Sequence, residues 1–201
     1  MGKIKSFFSF LRKAKRDLEG RHFVYKQTLL SMIPSYIGFT LRGRFYKKYL
    51  KSVGENTLFL ERLYIRNPQN LSIGKNCSIG IDCTIQAAGN LTIGDYVILG
   101  PGVKIWTSNH NYNDPDIPIY DQGSSFKKVI IDDDVWIGAN VFIMPGAHIG
   151  RGCVISAGSI VGGKRFKDYS IIAGNPARVI GFRGQMPKES ALSEPRTKGN
   201  E

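Results

Sequence analysis

His110 stands in the run Thr107-Ser108-Asn109-His110-Asn111-Tyr112-Asn113-Asp114, which is polar and rich in turn-forming residues. An imidazole gains and loses a proton near neutral pH, so a histidine in an exposed loop is suited to take the proton from an attacking hydroxyl. The oxyanion formed in such an attack on a carbonyl needs a donor, most simply a backbone N–H. The other histidines, His22 and His148, are remote in sequence. A zinc centre of the three-histidine kind, with two closely spaced ligands, is therefore not expected. Cys77, Cys83 and Cys153 recur at positions that a repeat would bury, and read as small core residues rather than a metal cluster or disulfide set.

The elements that must position His110 show themselves as a repeat. Residues 65–74 resemble residues 85–94, and a shorter period lies inside that longer one. Aliphatic or aromatic residues recur at Val53, Phe59, Ile65, Ile73, Ile79, Ile85, Ile93, Leu99 and Ile105, and again at Ile131, Ile137, Ile143, Ile149, Ile155 and Val161. The steps are six residues, apart from eight at 65→73 and 85→93 and 26 at 105→131. A second small or aliphatic residue follows four positions after most anchors, as at Leu63, Val97, Val135 and Cys153. Six is not a period of an amphipathic helix, and glycine and β-branched residues oppose one. A short strand and a turn per six residues instead build a triangular coil, whose anchors stack on those of the next coil. The long step expels residues 107–128 as an excursion loop, with His110 near its root. Long loops in compact repeats commonly serve function.

This pattern resembles the hexapeptide-repeat acyltransferases of the polysaccharide and sugar O-acetyltransferase type, over about residues 53–183. In the galactoside, maltose and xenobiotic members the base is a histidine just past a coil corner, and the next coil opens with Val-Trp-Ile-Gly. Here these are His110 and Val135-Trp136-Ile137-Gly138. The stretch Ile172-Ala173-Gly174-Asn175-Pro176-Ala177-Arg178-Val179-Ile180 is similar to a second family signature. The resemblance implies an all-β solenoid: a left-handed parallel β-helix with an N-terminal helical appendage and one long excursion loop. It implies a homotrimer with active sites between subunits, acetyl-CoA as co-substrate, no metal, and His110 as the catalytic base. Trp136 is placed near the pantetheine arm, and Ala139, Ala157 and Gly162 against coenzyme A. Lys164, Arg165, Arg178 and Arg183 are placed to pair with its phosphates. Tyr112 and Asp114 are the candidates for binding the acceptor. Gly80 and Ala88 stand where the galactoside and maltose enzymes carry polar acceptor-binding residues, which argues against those small acceptors.

The activity expected is acetyl transfer to a sugar hydroxyl of a cell-surface polysaccharide or its precursor. N-acetylation of an amino sugar or nucleotide-linked sugar is the alternative. A β-helix zinc carbonic anhydrase or a non-catalytic scaffold fits less well. The net charge of +12 is concentrated, because residues 1–52 carry 13 Lys/Arg against Asp17 and Glu19. Residues 1–52 read as a basic helical segment. Its Phe7, Phe8, Phe10 and Leu11, beside Lys13, Lys15 and Arg16, suit a peripheral contact with an anionic membrane. Nucleic acid is not an expected partner. The longest uncharged stretch, Gln27 to Leu41, is interrupted by Pro34 and Gly38 and is too short to span a bilayer. A cytoplasmic location is expected, on or near the inner membrane face. Residues 184–201 lack the period and are expected to form a flexible tail.

Overall fold

The computed structural model describes residues 22–184. The basic stretch before residue 22 and the tail beyond residue 184 lie outside the described residues. Helices α1 (His22–Ser31) and α2 (Ser35–Tyr49) form a hairpin, and about six turns of left-handed parallel β-solenoid follow.

Three walls make the solenoid. A six-stranded first wall runs through Ser52–Val53, Leu71–Ile73, Leu91–Ile93, Val129–Ile131, His148–Ile149 and Arg165–Phe166. A seven-stranded second wall holds Leu58–Phe59, Ser78–Ile79, Ile98–Leu99, Trp136–Ile137, Val154–Ile155 and Ser170–Gly174, and closes with the antiparallel strand Ala177–Phe182. The five-stranded third wall holds Tyr64–Arg66, Thr84–Gln86, Lys104–Trp106, Phe142–Ile143 and Ile160–Val161.

Each anchor from Phe59 to Val161 is buried and sits in register with an anchor of the neighbouring coil, as Ile65 with Ile85 and Ile85 with Ile105. Val53, at the end of the ladder, is only half-buried. Burying an Ile contributes about 1.5–3 kcal/mol each time, so the three ladders supply the main drive to fold. Phe166 and Ile172 extend the ladder beyond Val161, the first of them after a step of five residues rather than six. The coils lie too close for side chains at several corners. A Cβ on Gly138 would sit 2.6 Å from the backbone nitrogen of Ala157.

The helical hairpin covers the first coil, and buried polar groups attach it there. Arg42 Nε donates to the Phe59 carbonyl at 2.7 Å and Nη1 to that of Ile33 at 2.6 Å, while Nη2 lies 3.3 Å from Glu61. Gln27 Oε1 accepts the Ile65 N–H at 2.8 Å, a donor on the open edge of the first coil. Burial pushes the Tyr46 hydroxyl far above its ordinary pKa, with Arg42 offsetting only part. Among the described residues no helix is long and apolar enough to cross a membrane.

All three cysteines are free and buried. Burial raises each thiol's pKa, that of Cys83 to about 11, so none is a thiolate at neutral pH. Iodoacetamide at neutral pH should leave Cys83 unmodified in the native protein and alkylate it in urea, as read by mass spectrometry. Ile85→Ala should lower unfolding stability by about 2–5 kcal/mol, measured as a lower urea midpoint with the same slope.

Candidate active site

The excursion is ordered from its root outward. Ser108–His110 pairs antiparallel with Ser124–Phe126, setting His110 opposite Ser124, so the predicted loop contains a two-stranded ribbon. Gln122 ties the tip: its Nε2 donates to the Asp114 and Ile117 carbonyls, each at 2.7 Å.

Beneath the ribbon, fully buried Thr107 locks the root. Its hydroxyl donates toward the Gln86 carbonyl at 2.9 Å and accepts the Gly89 N–H at 2.7 Å. The Gln86 amide lies 3.1 Å from the Thr107 N–H through Oε1 and donates through Nε2 to the Ser108 hydroxyl at 2.7 Å. On the return strand, Lys127 N–H donates to the Thr107 carbonyl at 2.9 Å. Gln86 and Thr107 were not among the residues singled out in the sequence. The available signal was a polar residue one position after the anchor Ile85 and another two positions after Ile105, where a polar side chain is buried only if its hydrogen bonds are met.

His110 lines a cavity of about 370 Å³ with Tyr112, Ser125, Lys127, Met144 and Gly163. The third-to-first corners of successive coils meet here, which joins residues from three separate segments. Asp114 is not in the lining; its Oδ1 accepts the Asp116 N–H at 3.0 Å and shapes the turn.

The other predicted residues lie elsewhere on the solenoid. Ala139 and Ala157 stack one coil apart at the second-to-third corner, where Gly158 N–H donates to the Ala139 carbonyl at 2.8 Å. A Cβ on Gly162 would meet nothing within 4 Å, leaving an open approach to the backbone beside Gly163. Lys164 Nζ sits 4.9 Å from the Phe166 ring centroid, and Arg165 and Arg178 are exposed. Trp136 projects from the second wall, 54% exposed, and shares a depression of about 310 Å³ with Tyr96, Ile98 and Arg183. Arg183 is paired there with Asp134 at 2.8 Å. One chain thus brings His110, Tyr112 and Gly163, the neighbour of Gly162, together, and holds Trp136 and Arg183 on another wall. His148 is half-buried with Nε2 2.9 Å from Asp132 Oδ2. Among the described residues no three His, Cys, Asp or Glu converge on a position for a metal ion.

Two family models match this wall pattern: bacterial transferase hexapeptide (six repeats) over residues 128–163, and hexapeptide repeat of succinyl-transferase over residues 70–105. The galactoside O-acetyltransferase of Escherichia coli is 34% identical over 144 residues, covering 69% of this chain and 67% of that one. The chain belongs to the hexapeptide-repeat acyltransferase family. The Bacillus subtilis protein YvoF, named as an acetyltransferase, is 32% identical over 81% of this chain and 80% of its own. A solved galactoside acetyltransferase in complex with coenzyme A superposes with a TM-score of 0.72 at 30% identity, over 84% of this chain and 81% of that one. The chain spans between 41% and 63% of the length of three further curated relatives.

Thr107 makes no direct hydrogen bond to His110 and bears on it through the root of the excursion. Thr107→Val should therefore lower kcat about tenfold or more, with KM for the acyl donor unchanged and activity recovered by Thr107→Ser.

Proposed function

We propose that this protein transfers acetyl from acetyl-CoA to a hydroxyl of a cell-surface polysaccharide or its precursor. One observation carries the reading: a buried polar lock holds His110 at the mouth of an ordered cavity, at the root of the excursion. The acceptor oxygen attacks the thioester carbonyl while His110 Nε2 or Nδ1 takes the hydroxyl proton. Collapse of the tetrahedral intermediate breaks the C–S bond, and the same proton passes from the imidazolium to the departing thiolate. Acetylated sugar and free coenzyme A result, with no acyl-enzyme.

The residues present suit the donor. Ala139, Ala157 and Gly162 leave room for a pantetheine arm against the coil, and Lys164, Arg165 and Arg178 supply exposed cations for phosphates. Tyr112 is better placed than Asp114 to touch the acceptor, because it lines the cavity.

Trp136 and Arg183 stand on a different wall from His110, which fits a site completed by a second subunit in a homotrimer. Arg183 would have to leave Asp134 to meet a phosphate. A cytoplasmic site of action follows from the need for acetyl-CoA. The helical hairpin exposes Leu29, Met32, Tyr36 and Ile37 and also Lys26, Arg44, Lys47 and Lys48, a composition that suits contact with an anionic membrane surface.

With a sugar acceptor and acetyl-CoA, His110→Ala should reduce turnover about a hundredfold while the Kd for coenzyme A, by calorimetry, stays at the wild-type value. Near-normal turnover in that variant would remove His110 from the mechanism.

A further inference from the structure

The three walls differ in what they show to the outside. The second and third carry large apolar side chains outward, among them Leu58, Ile98, Trp136, Tyr64 and Trp106. The lower coils of the first wall carry hydroxyls and amides instead. Ser52, Ser72 and Thr92 pair in register there and project to the same side. One corner position earlier, Asn70, Asn90 and Lys128 follow one another up the stack, because Leu71 pairs with Leu91 and Leu91 with Val129. Lys51 closes the lower end, its N–H donating to the Leu71 carbonyl at 3.0 Å.

These side chains enclose a groove of about 260 Å³, lined by Lys51, Asn70, Ser72, Asn90, Thr92 and Lys128 around Leu91. No carboxylate lines it, and among the described residues neither lysine has an ion-pair partner. The two lysines stand three rungs apart, about 14 Å at the spacing of paired strands. Lysines spaced along the wall in this way can engage anionic groups spread along an extended chain. The amides and hydroxyls between them are the donors and acceptors that ring hydroxyls require.

The groove and the cavity of His110 meet in the chain at one point. Lys127 lines the cavity and Lys128 lines the groove, and these are consecutive residues where the chain returns from the ribbon. That crossing point is held on both sides, by Lys127 N–H on the Thr107 carbonyl at 2.9 Å and Val129 N–H on the Asn90 carbonyl at 3.1 Å. This corner therefore lies between the His110 cavity and the polar ladder.

We propose that the first-wall groove is an acceptor subsite for an acidic oligosaccharide, with Lys51 and Lys128 engaging its anionic groups and the Asn/Ser/Thr ladder its hydroxyls. Resting on the acetyl-transfer reading above, this makes the acceptor an extended acidic glycan rather than a small neutral sugar. The sugar to be modified sits at His110 and its neighbours lie along the wall.

The test uses the full-length protein, with trigalacturonate as the acidic probe and maltotriose as its neutral match. Calorimetry should show trigalacturonate binding more tightly than maltotriose and weakening as salt is added. The double variant Lys51→Gln/Lys128→Gln should weaken trigalacturonate by about tenfold, the sum of two partly screened ion pairs, and leave maltotriose and coenzyme A unchanged. In transfer assays the same variant should raise KM for the acidic acceptor at constant kcat. Equal binding of the two trisaccharides by the wild type would overturn the proposal, as would a double variant that binds trigalacturonate normally. Inorganic pyrophosphate binding with the same sensitivity to the two lysines would also overturn it, marking a phosphate site instead. Failure of the acetyl-transfer reading would show separately, as loss of coenzyme binding or an indifferent His110→Ala, with the trisaccharide preference still measurable.

Discussion

Backbone hydrogen bonds between coils set where every outward side chain of the solenoid finds its neighbours. Gly94 N–H reaches the Ile131 carbonyl at 2.8 Å and Gly100 N–H that of Ile137 at 2.7 Å, so each coil is clamped to the next. The inward ladder makes the register unique, since a slip by one residue would turn the aliphatic row outward. Glycine at Gly138 follows from the same closeness, because the backbone of the next coil occupies the space a side chain would need. Residues far apart in sequence become neighbours about 4.8 Å apart on one wall, and chemistry can be written on that wall in vertical columns.

The solenoid tolerates its one long interruption because both ends of the excursion return to fixed points. Lengthening a loop costs little once its ends are held. Thr107 and Gln86 hold the outgoing end with mutually satisfied buried polar groups, and the N–H groups of Lys127 and Val129 hold the incoming end. A buried network of that kind is costly to leave half-made, so it specifies one conformation at the root. The imidazole three residues beyond inherits that precision without being buried itself.

Around this frame the surfaces divide by chemistry. Apolar second and third walls, a polar lower first wall and a basic helical hairpin at one end give the molecule chemically distinct faces. The pairing of Arg183 with Asp134 and of His148 with Asp132 shows that several ionisable groups serve the corners themselves.

The solenoid, its three ladders and the place where it is interrupted were legible in the sequence, because a six-residue period translates directly into the direction each side chain takes. Val53 and the shortened step to Phe166 escaped that reading, being end effects of a stack that has no further coil to cover it. His110 could be singled out because its loop root is defined by the same period. What shares its cavity could not: Lys127 and Gly163 arrive from other coils, and Asp114 is drawn out of the lining into a turn whose hydrogen bonds the sequence does not display. The basic charge of the first 52 residues was plain from composition, yet Arg42 turned out to be a buried bolt on Phe59 and Glu61 rather than a surface cation. Local periodicity sets which way a residue faces. Only the stacking of one coil on another decides which distant residue it faces, since that depends on register, corner geometry and the space left between backbones.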